Sequence, residues 1–222
     1  MKRVIKLDTV SDLSGQFLYD YGYDKGPTIV KYNAVMDNFR AEIKARQLKP
    51  LVTYQVKLVG IPECAGGNDE TNELIGYSGR WYCPDCDGTT AGKNRSDYQY
   101  ETNNGNECIH GYLVFDYFTT DIRGAINTTV ESDESFHVLY CSDMYFLDTN
   151  LQPFTEEELK CQSPQLCNPE DVWGQIERPE FAELSEGHYQ DVKIALTEES
   201  FHQNCGTWTT VLENNLEFTI QK

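Results

Sequence analysis

Apolar and polar residues alternate along residues 39–60, and this alternation is the strongest structural signal in the chain. Residues 39–46 alternate apolar with charged side chains, and a period of two places one set in a core and the other in water. A second alternation covers residues 52–58, and Pro50 between the two supplies a rigid corner without an N–H donor. The pattern predicts two half-buried strands, both with their charged side chains in solvent, that meet at a turn.

Further strands are predicted along most of the chain, because β-branched and aromatic stretches alternate with turn residues. They cover residues 3–9, 28–32, 74–82, 111–120, 125–130, 135–141, 189–197, 208–212 and 216–220. Residues 121–124 and 213–215 have the composition of hairpin turns between the strands that flank them. Capping-box spacing predicts one short helix that starts at Thr155 and ends near Cys161. So many short strands and so little helix predict an all-β fold.

The corner carries a motif that spans eleven residues, Leu48-x-Pro50-x-x-Thr53-Tyr54-x-Val56-x-Leu58. It resembles the E–F corner of fibronectin type III and related immunoglobulin-like modules, in which the tyrosine hydroxyl bonds to upstream backbone. The resemblance implies a Greek-key or jelly-roll β-sandwich whose corner is formed by Leu48, Pro50 and Tyr54. It implies no function, because such sandwiches host many unrelated activities.

Two other segments extend the resemblance, TTDIRGA at residues 119–125 and LTEESFH at residues 196–202. With them the wider chain is similar to uncharacterised secreted prokaryotic β-sandwich proteins, a resemblance that brings no known activity. A length of 222 residues suits one all-β domain. We therefore predict a single domain over residues 1–222, with loop-rich insertions at about 61–109 and 142–187.

The charge balance limits the classes of partner. The chain has 18 Lys and Arg against 36 Asp and Glu, a formal net charge of −18. Such a surface repels phosphate backbones and anionic lipid head groups and attracts cations, so we expect no nucleic-acid partner. No apolar run is long enough to span a bilayer, so we expect no membrane span.

The chain has eight cysteines, and an even number in an acidic chain rich in loops predicts four disulfides and an oxidising, extracellular compartment. Cys161 with Cys167 is the most local pair, while Cys141 and Cys205 are placed to join neighbouring strands. The first residues contain no apolar signal segment, and a cleaved leader replaced by Met1 would reconcile this with export. The eight positions are Cys64, Cys83, Cys86, Cys108, Cys141, Cys161, Cys167 and Cys205.

Cys83 and Cys86 form the sharpest chemical motif, because C-x-x-C spacing also serves zinc ligation and thiol redox chemistry. A zinc site would need Cys64 together with Cys108 or His110, at intervals that do not match a second tight pair. Structural disulfides are the favoured interpretation, and a metal or redox site remains the alternative. A copper site would draw on His110, His137, His188, His202, Cys141 and Met144, but strand spacing separates His137 from Cys141.

Other candidate sites lie in the long insertions. Carboxylates at Asp69, Glu70, Asp85 and Asp87, in a glycine-rich stretch, predict a calcium site. The sequons at Asn94 and Asn127 predict glycosylation. The aromatic residues Trp81, Tyr82, Tyr98 and Tyr100 would form a platform for stacking sugars, although core packing is the favoured role.

No catalytic motif is present: the chain has no nucleophile elbow, no HExxH and no phosphate-binding glycine loop. The favoured hypothesis is a secreted, non-catalytic structural or assembly module that self-associates through its terminal strands, residues 3–9 and 216–220. The first alternative is a carbohydrate-binding module that takes glycans. The second is an extracellular metal-binding or redox protein that uses Cys83 and Cys86.

Overall fold

The structure, a computed structural model, describes residues 1–9, 22–50, 53–82, 108–133, 135, 183–198 and 209–222. The strands in chain order are β1 (Lys2–Lys6), β2 (Asp8–Thr9), β3 (Thr28–Asn33), β4 (Val35–Met36), β5 (Arg40–Ala45), β6 (Thr53–Gly60), β7 (Arg80–Tyr82), β8 (His110–Thr119), β9 (Ile126–Glu131), β10 (Gly187–Glu198) and β11 (Thr209–Ile220). One α-helix, α1 (Asp69–Ser78), and two 3-10 turns at Tyr23–Lys25 and Glu63–Ala65 complete the elements of these residues.

Two sheets pack against each other as a β-sandwich, which confirms the predicted all-β fold class. The smaller sheet has the strand order β1-β3-β5-β9, and the larger has the order β2-β11-β10-β6-β8-β7 with β4 beside β11. β4 runs parallel to β11, and the other described pairs are antiparallel. Aromatic rings join the sheets, since the centroid of Phe39 lies 5.6 Å from that of Phe115 and 4.8 Å from that of Phe218.

The corner between β5 and β6 carries the chain from the smaller sheet to the larger one. The backbone N–H of Lys49 donates to the hydroxyl oxygen of Tyr54 at 2.9 Å, five residues downstream. A second hydroxyl, that of Tyr23, lies 3.2 Å from the same oxygen. The tyrosine side chain thus fixes the backbone of the corner, as the resemblance implies, and Leu48 and Pro50 are buried beside it.

The segment 121–124 is a second crossing between the sheets, so the predicted hairpin is wrong: β8 lies in the larger sheet and β9 in the smaller one. The two crossings are bonded to each other, because Leu48 N donates to Gly124 O at 3.0 Å and Thr120 Oγ1 donates to Lys49 O at 2.6 Å. Gly124 has a φ of 68°, and a Cβ there would lie 1.8 Å from the Leu48 oxygen. The close contact therefore requires glycine.

The predicted closing hairpin at residues 208–220 is also wrong, because residues 209–220 form one continuous strand, β11. Asn214 and Asn215 favour turns in isolation, but here they pair with Ile194 and Lys193 of β10. The side chain of Asn214 donates to Lys6 O at 2.8 Å, so this polar residue forms a hydrogen bond between the two sheets.

Residues 74–78 belong to α1, which corrects the strand predicted over residues 74–82. Asn68 caps the helix by accepting from Thr71 N at 2.9 Å. The buried face of the helix consists of Thr71, Asn72, Ile75 and Gly76, which are mostly polar or small. A helix that buries such residues shows no clear apolar period of 3.6, so its partly buried Leu74 and exposed Tyr77 resembled part of a strand.

The two ends of the insertion at residues 61–109 are joined by a disulfide between Cys64 and Cys108, with Cα atoms 5.6 Å apart. This insertion is therefore pinned by a disulfide, as predicted. The other six cysteines, including those of the proposed pairs, lie outside the described residues. The helix predicted to start at Thr155 also lies outside them. No helix in the described part of the chain is long and apolar enough to cross a membrane.

Candidate assembly surface along β1

β1 is an edge strand with β3 on one side and no described strand on the other. Leu7 N donates to Thr28 O at 2.8 Å and Ala34 N donates to Met1 O at 2.9 Å, so odd-numbered residues direct their backbone groups toward β3. In an antiparallel pair the direction alternates, and the backbone groups of Lys2, Val4 and Lys6 therefore point away from β3. Since Lys6 O accepts from Asn214, the open part of the edge is the stretch from Lys2 to Val4.

A groove of about 680 Å³ lies beside this open edge, between β1 and the nearest strands of the larger sheet. Its walls include Gln190 and Asp191 of β10 and Leu216 and Glu217 of β11. β10 has a register shift between Tyr189 and Val192, and within it Asp191 adopts a left-handed φ of 55°. The bulge leaves two polar side chains exposed in the groove.

Arg3 joins the two sheets at the groove. Its Nη1 donates to Glu217 O at 2.8 Å and to Glu217 Oε2 at 3.0 Å. The hydrogen bond from Arg3 lowers the pKa of Glu217, and the same bond raises the pKa of Arg3. His188 Nε2 lies 3.4 Å from the other carboxylate oxygen of Glu217. Arg3 therefore holds β1 against the larger sheet while Val4, 60 % exposed, faces solvent.

The outer face of the smaller sheet, called here the basic face, has a positive charge in a chain with net charge −18. Its members are the outward charged residues of β1, β3, β5 and β9: Lys2, Lys6, Lys31, Arg40, Glu42, Lys44 and Glu131. Five cations thus face two carboxylates, a net charge of +3 on this face. Because Arg40 Nε donates to Glu131 Oε2 at 2.9 Å, the four lysines share one remaining carboxylate, that of Glu42.

The C-terminal strand offers no comparable edge. β11 lies between β10 on one side and β2 and β4 on the other. Both terminal strands are therefore paired within the chain, and β1 alone of the two has an open side among the described residues.

The predicted calcium ligands are only partly within the described residues. Asp69 and Glu70 lie in the first turn of α1, where a carboxylate is stabilised by the helix N-terminus. Asp69 Oδ1 already accepts from Glu63 N at 2.8 Å. Asp85 and Asp87 lie outside the described residues. Within those residues no group of three or more His, Cys, Asp and Glu is placed to hold a metal ion.

The cysteine and histidine predictions change in one respect. Cys64 and Cys108 are bonded to each other, so a zinc site that draws on both thiolates is wrong for this structure. His110 lies beside the disulfide, with Nε2 3.9 Å from Cys108 Sγ. Four members of the predicted copper set lie outside the described residues, namely His137, Cys141, Met144 and His202. The Cys83–Cys86 motif also lies outside them.

Trp81 is 1 % exposed, which excludes it as a platform for stacking sugars. It packs against α1, and a Cβ on Gly76 would lie 2.4 Å from its ring. Tyr82 is half-buried, and its ring centroid lies 5.2 Å from that of His110. Burial raises the pKa of Tyr82. Tyr98 and Tyr100, the other two members of the predicted platform, lie outside the described residues.

The sequon at Asn127 lies on β9 with its side chain exposed, whereas Asn94 lies outside the described residues. The sequence patterns did not reveal the basic face, because each lysine taken alone is ordinary for an exposed strand position. The basic face could have been predicted only from the strand register, which brings the lysines of β1, β3 and β5 side by side.

Comparison with protein-family models, with curated proteins and with solved structures finds no match for the chain.

Proposed function

We propose that the protein is a secreted, non-catalytic β-sandwich that works as an extracellular assembly module and accepts an extended segment of a neighbouring copy on β1. The open edge of β1 carries the proposal. No described strand pairs with the outward N–H and C=O groups of Lys2 and Val4, so these groups form a template for one more strand, and strand addition to an exposed edge is a common mode of recognition.

Several properties of the edge suit a strand acceptor. Arg3 fixes β1 to the larger sheet, so the acceptor is held in place before a partner arrives. The groove beside it leaves room for the side chains that an added strand would turn inward. Val4 offers an exposed β-branched side chain for cross-strand packing.

Secretion, relationship to immunoglobulin-like modules and stabilisation by calcium are part of the proposal. The disulfide between Cys64 and Cys108, with Cys64 exposed, supports an oxidising compartment. The bond from Lys49 N to the Tyr54 hydroxyl supports the immunoglobulin-like relationship. The calcium part of the proposal rests on the sequence, of whose four carboxylates only Asp69 and Glu70 lie in the described residues.

Val4→Pro tests the edge without disturbing the fold. Proline removes the N–H that points away from β3, and proline is tolerated at edge positions whose N–H faces solvent. We expect the wild-type chain to form larger species as concentration rises in sedimentation velocity, and the proline variant to remain monomeric. The melting temperatures of the two proteins should agree.

Val4→Thr is the matched control, because it keeps the N–H and a β-branched side chain; it should associate like the wild type. The same runs in low salt with a chelator test the role of calcium, which an unchanged melting temperature and an unchanged assembly state would exclude. A wild-type chain that stays monomeric at high concentration, or a Val4→Pro variant that assembles normally, contradicts the assembly proposal.

A further inference from the structure

We infer that the segment that β1 accepts is an acidic extended strand with carboxylates four residues apart. The inference rests on the proposed function and names the chemistry of the partner. The observation behind it is the outward row of β1, where Lys2 and Lys6 flank the exposed Val4.

Residues directly opposite each other on adjacent strands have Cβ atoms about 4.5–5.5 Å apart, within reach of an ion pair. A strand paired with the open stretch from Lys2 to Val4 would therefore place one side chain beside Lys2 and one beside Val4. Its next outward residue would lie beside the exposed side chain of Lys6, whose carbonyl oxygen already accepts from Asn214. These three positions alternate along the added strand. Carboxylates at the outer two and a β-branched residue at the middle one would complement all three.

The next strand adds to this preference. Lys31 of β3 is the register partner of Val4, so a third ammonium group lies one strand further from the edge. Lys31 is itself in register with Glu42, which is the single carboxylate of the basic face that Arg40 does not engage. The positive charge is therefore greatest toward β1, where the partner strand would lie.

The same charges disfavour a symmetric dimer through two copies of β1. Antiparallel pairing centred on Val4 would put Lys2 of each copy opposite Lys6 of the other, and like charges directly opposite each other are destabilising. A second copy is thus disfavoured as a donor of β1 and is favoured as a donor of an acidic segment, because the chain carries 36 Asp and Glu. Such a contact is heterologous and builds a ring or an open filament.

Binding of short labelled peptides tests the inference at protein concentrations too low for self-association. The probes are TETVTET, its lysine counterpart TKTVTKT, and a scrambled peptide with adjacent glutamates. Fluorescence polarisation should show tightest binding of TETVTET to the wild-type chain, at least about tenfold tighter than TKTVTKT, since two attractive charge pairs become repulsive. Raising the salt concentration should reduce the difference.

Variants of the protein locate the site. Lys2→Glu combined with Lys6→Glu should reverse the preference between the two peptides. Arg46→Glu combined with Arg123→Glu changes the net charge equally at exposed positions away from β1 and should leave the preference unchanged. Val4→Pro should abolish binding of TETVTET.

Three results would overturn the inference: equal affinity for the acidic and basic peptides, equal affinity for the scrambled peptide, or binding of soluble polyglutamate to wild type and Val4→Pro alike. The last would show that the basic face binds polyanions without a strand. If TETVTET binds as expected but the wild type remains monomeric at high concentration, the inference of an acidic partner strand is supported and the proposed self-assembly is contradicted. If the wild type assembles through Val4 and the peptides show no preference for charge, the proposed function stands and the inference fails.

Discussion

The same alternating sequence pattern leads to different burial of the polar residues in the two sheets of the sandwich. β5 of the smaller sheet and β6 of the larger both alternate apolar with polar residues. In β5 the polar residues are exposed, as the alternation predicts. In β6 the polar residues Gln55 and Lys57 are each 1 % exposed, so the prediction that β6 has a solvent-exposed charged face is wrong.

The neighbours of each strand explain this difference. Glu42 of β5 lies in register with Lys31 and Thr129, which are both exposed. Lys57 of β6 lies in register with Val114 of β8 and Ala195 of β10, which are both buried. Alternation in one strand therefore shows which face meets the shared core, and the strands beside it determine whether the other face meets water.

Charge reversal at matched positions would test the comparison most strongly. Lys57→Glu puts a carboxylate in a site that is buried between two strands, and we expect a loss of about 3–5 kcal/mol in the free energy of unfolding. Lys44→Glu makes the same change on the exposed face of β5 and should stay within about 0.5 kcal/mol of the wild type. Urea denaturation measures both. Equal effects at the two positions would mean that the outer faces do not differ.

Lys49 provides a second test, because it is a buried amine at the corner between the sheets. Burial lowers the pKa of Lys49 to about 8 from 10.5. Between these two values the unfolded chain binds a proton that the folded chain lacks, so the contribution of Lys49 to the free energy of unfolding rises with pH, by about 3 kcal/mol in total.

Lys49→Met should remove this rise, and the variant should be more stable than the wild type at pH 7. The measurement is urea denaturation of both proteins from pH 7 to pH 10, with the difference between them taken at each pH so that other groups cancel. A difference that does not change with pH would mean that Lys49 keeps an ordinary pKa in the folded protein.

The fold was predictable where the physical cause is local. Alternation gave the strands of the smaller sheet, and the spacing of Leu48, Pro50 and Tyr54 gave the corner. The two wrong hairpins share one cause, which is that distant contacts decided the structure. Asn214 and Asn215 pair with β10 instead of turning, and residues 121–124 cross between sheets because their flanking strands find different partners.

The buried outer face of the larger sheet did leave a signal in the sequence. Residues 112–115 of β8 and 194–196 of β10 are continuous apolar runs, which are typical of strands that are buried on both faces. The candidate assembly surface along β1 left a weaker signal in the sequence. The sequence predicted a terminal strand at residues 3–9, but which side of it is open follows from the hydrogen bonds to β3. The basic face depends on the register of three strands, which no single-strand pattern contains.

The smallest expected effect concerns the hydrogen bond that ties the two sheets together at the corner. Tyr54→Phe keeps the ring, which packs on Phe118 with centroids 5.7 Å apart, and removes only the oxygen. The N–H of Lys49 then loses its acceptor in a buried site, so we expect the free energy of unfolding to fall by about 1–2 kcal/mol. Tyr117→Phe, at an exposed position of β8, is the control and should have no measurable effect. Thermal and urea unfolding of the two variants would settle the comparison. Because the corner lies apart from β1, Tyr54→Phe should leave the assembly state unchanged; equal stability of the two variants would mean that the bond from Lys49 does not hold the crossing between the sheets.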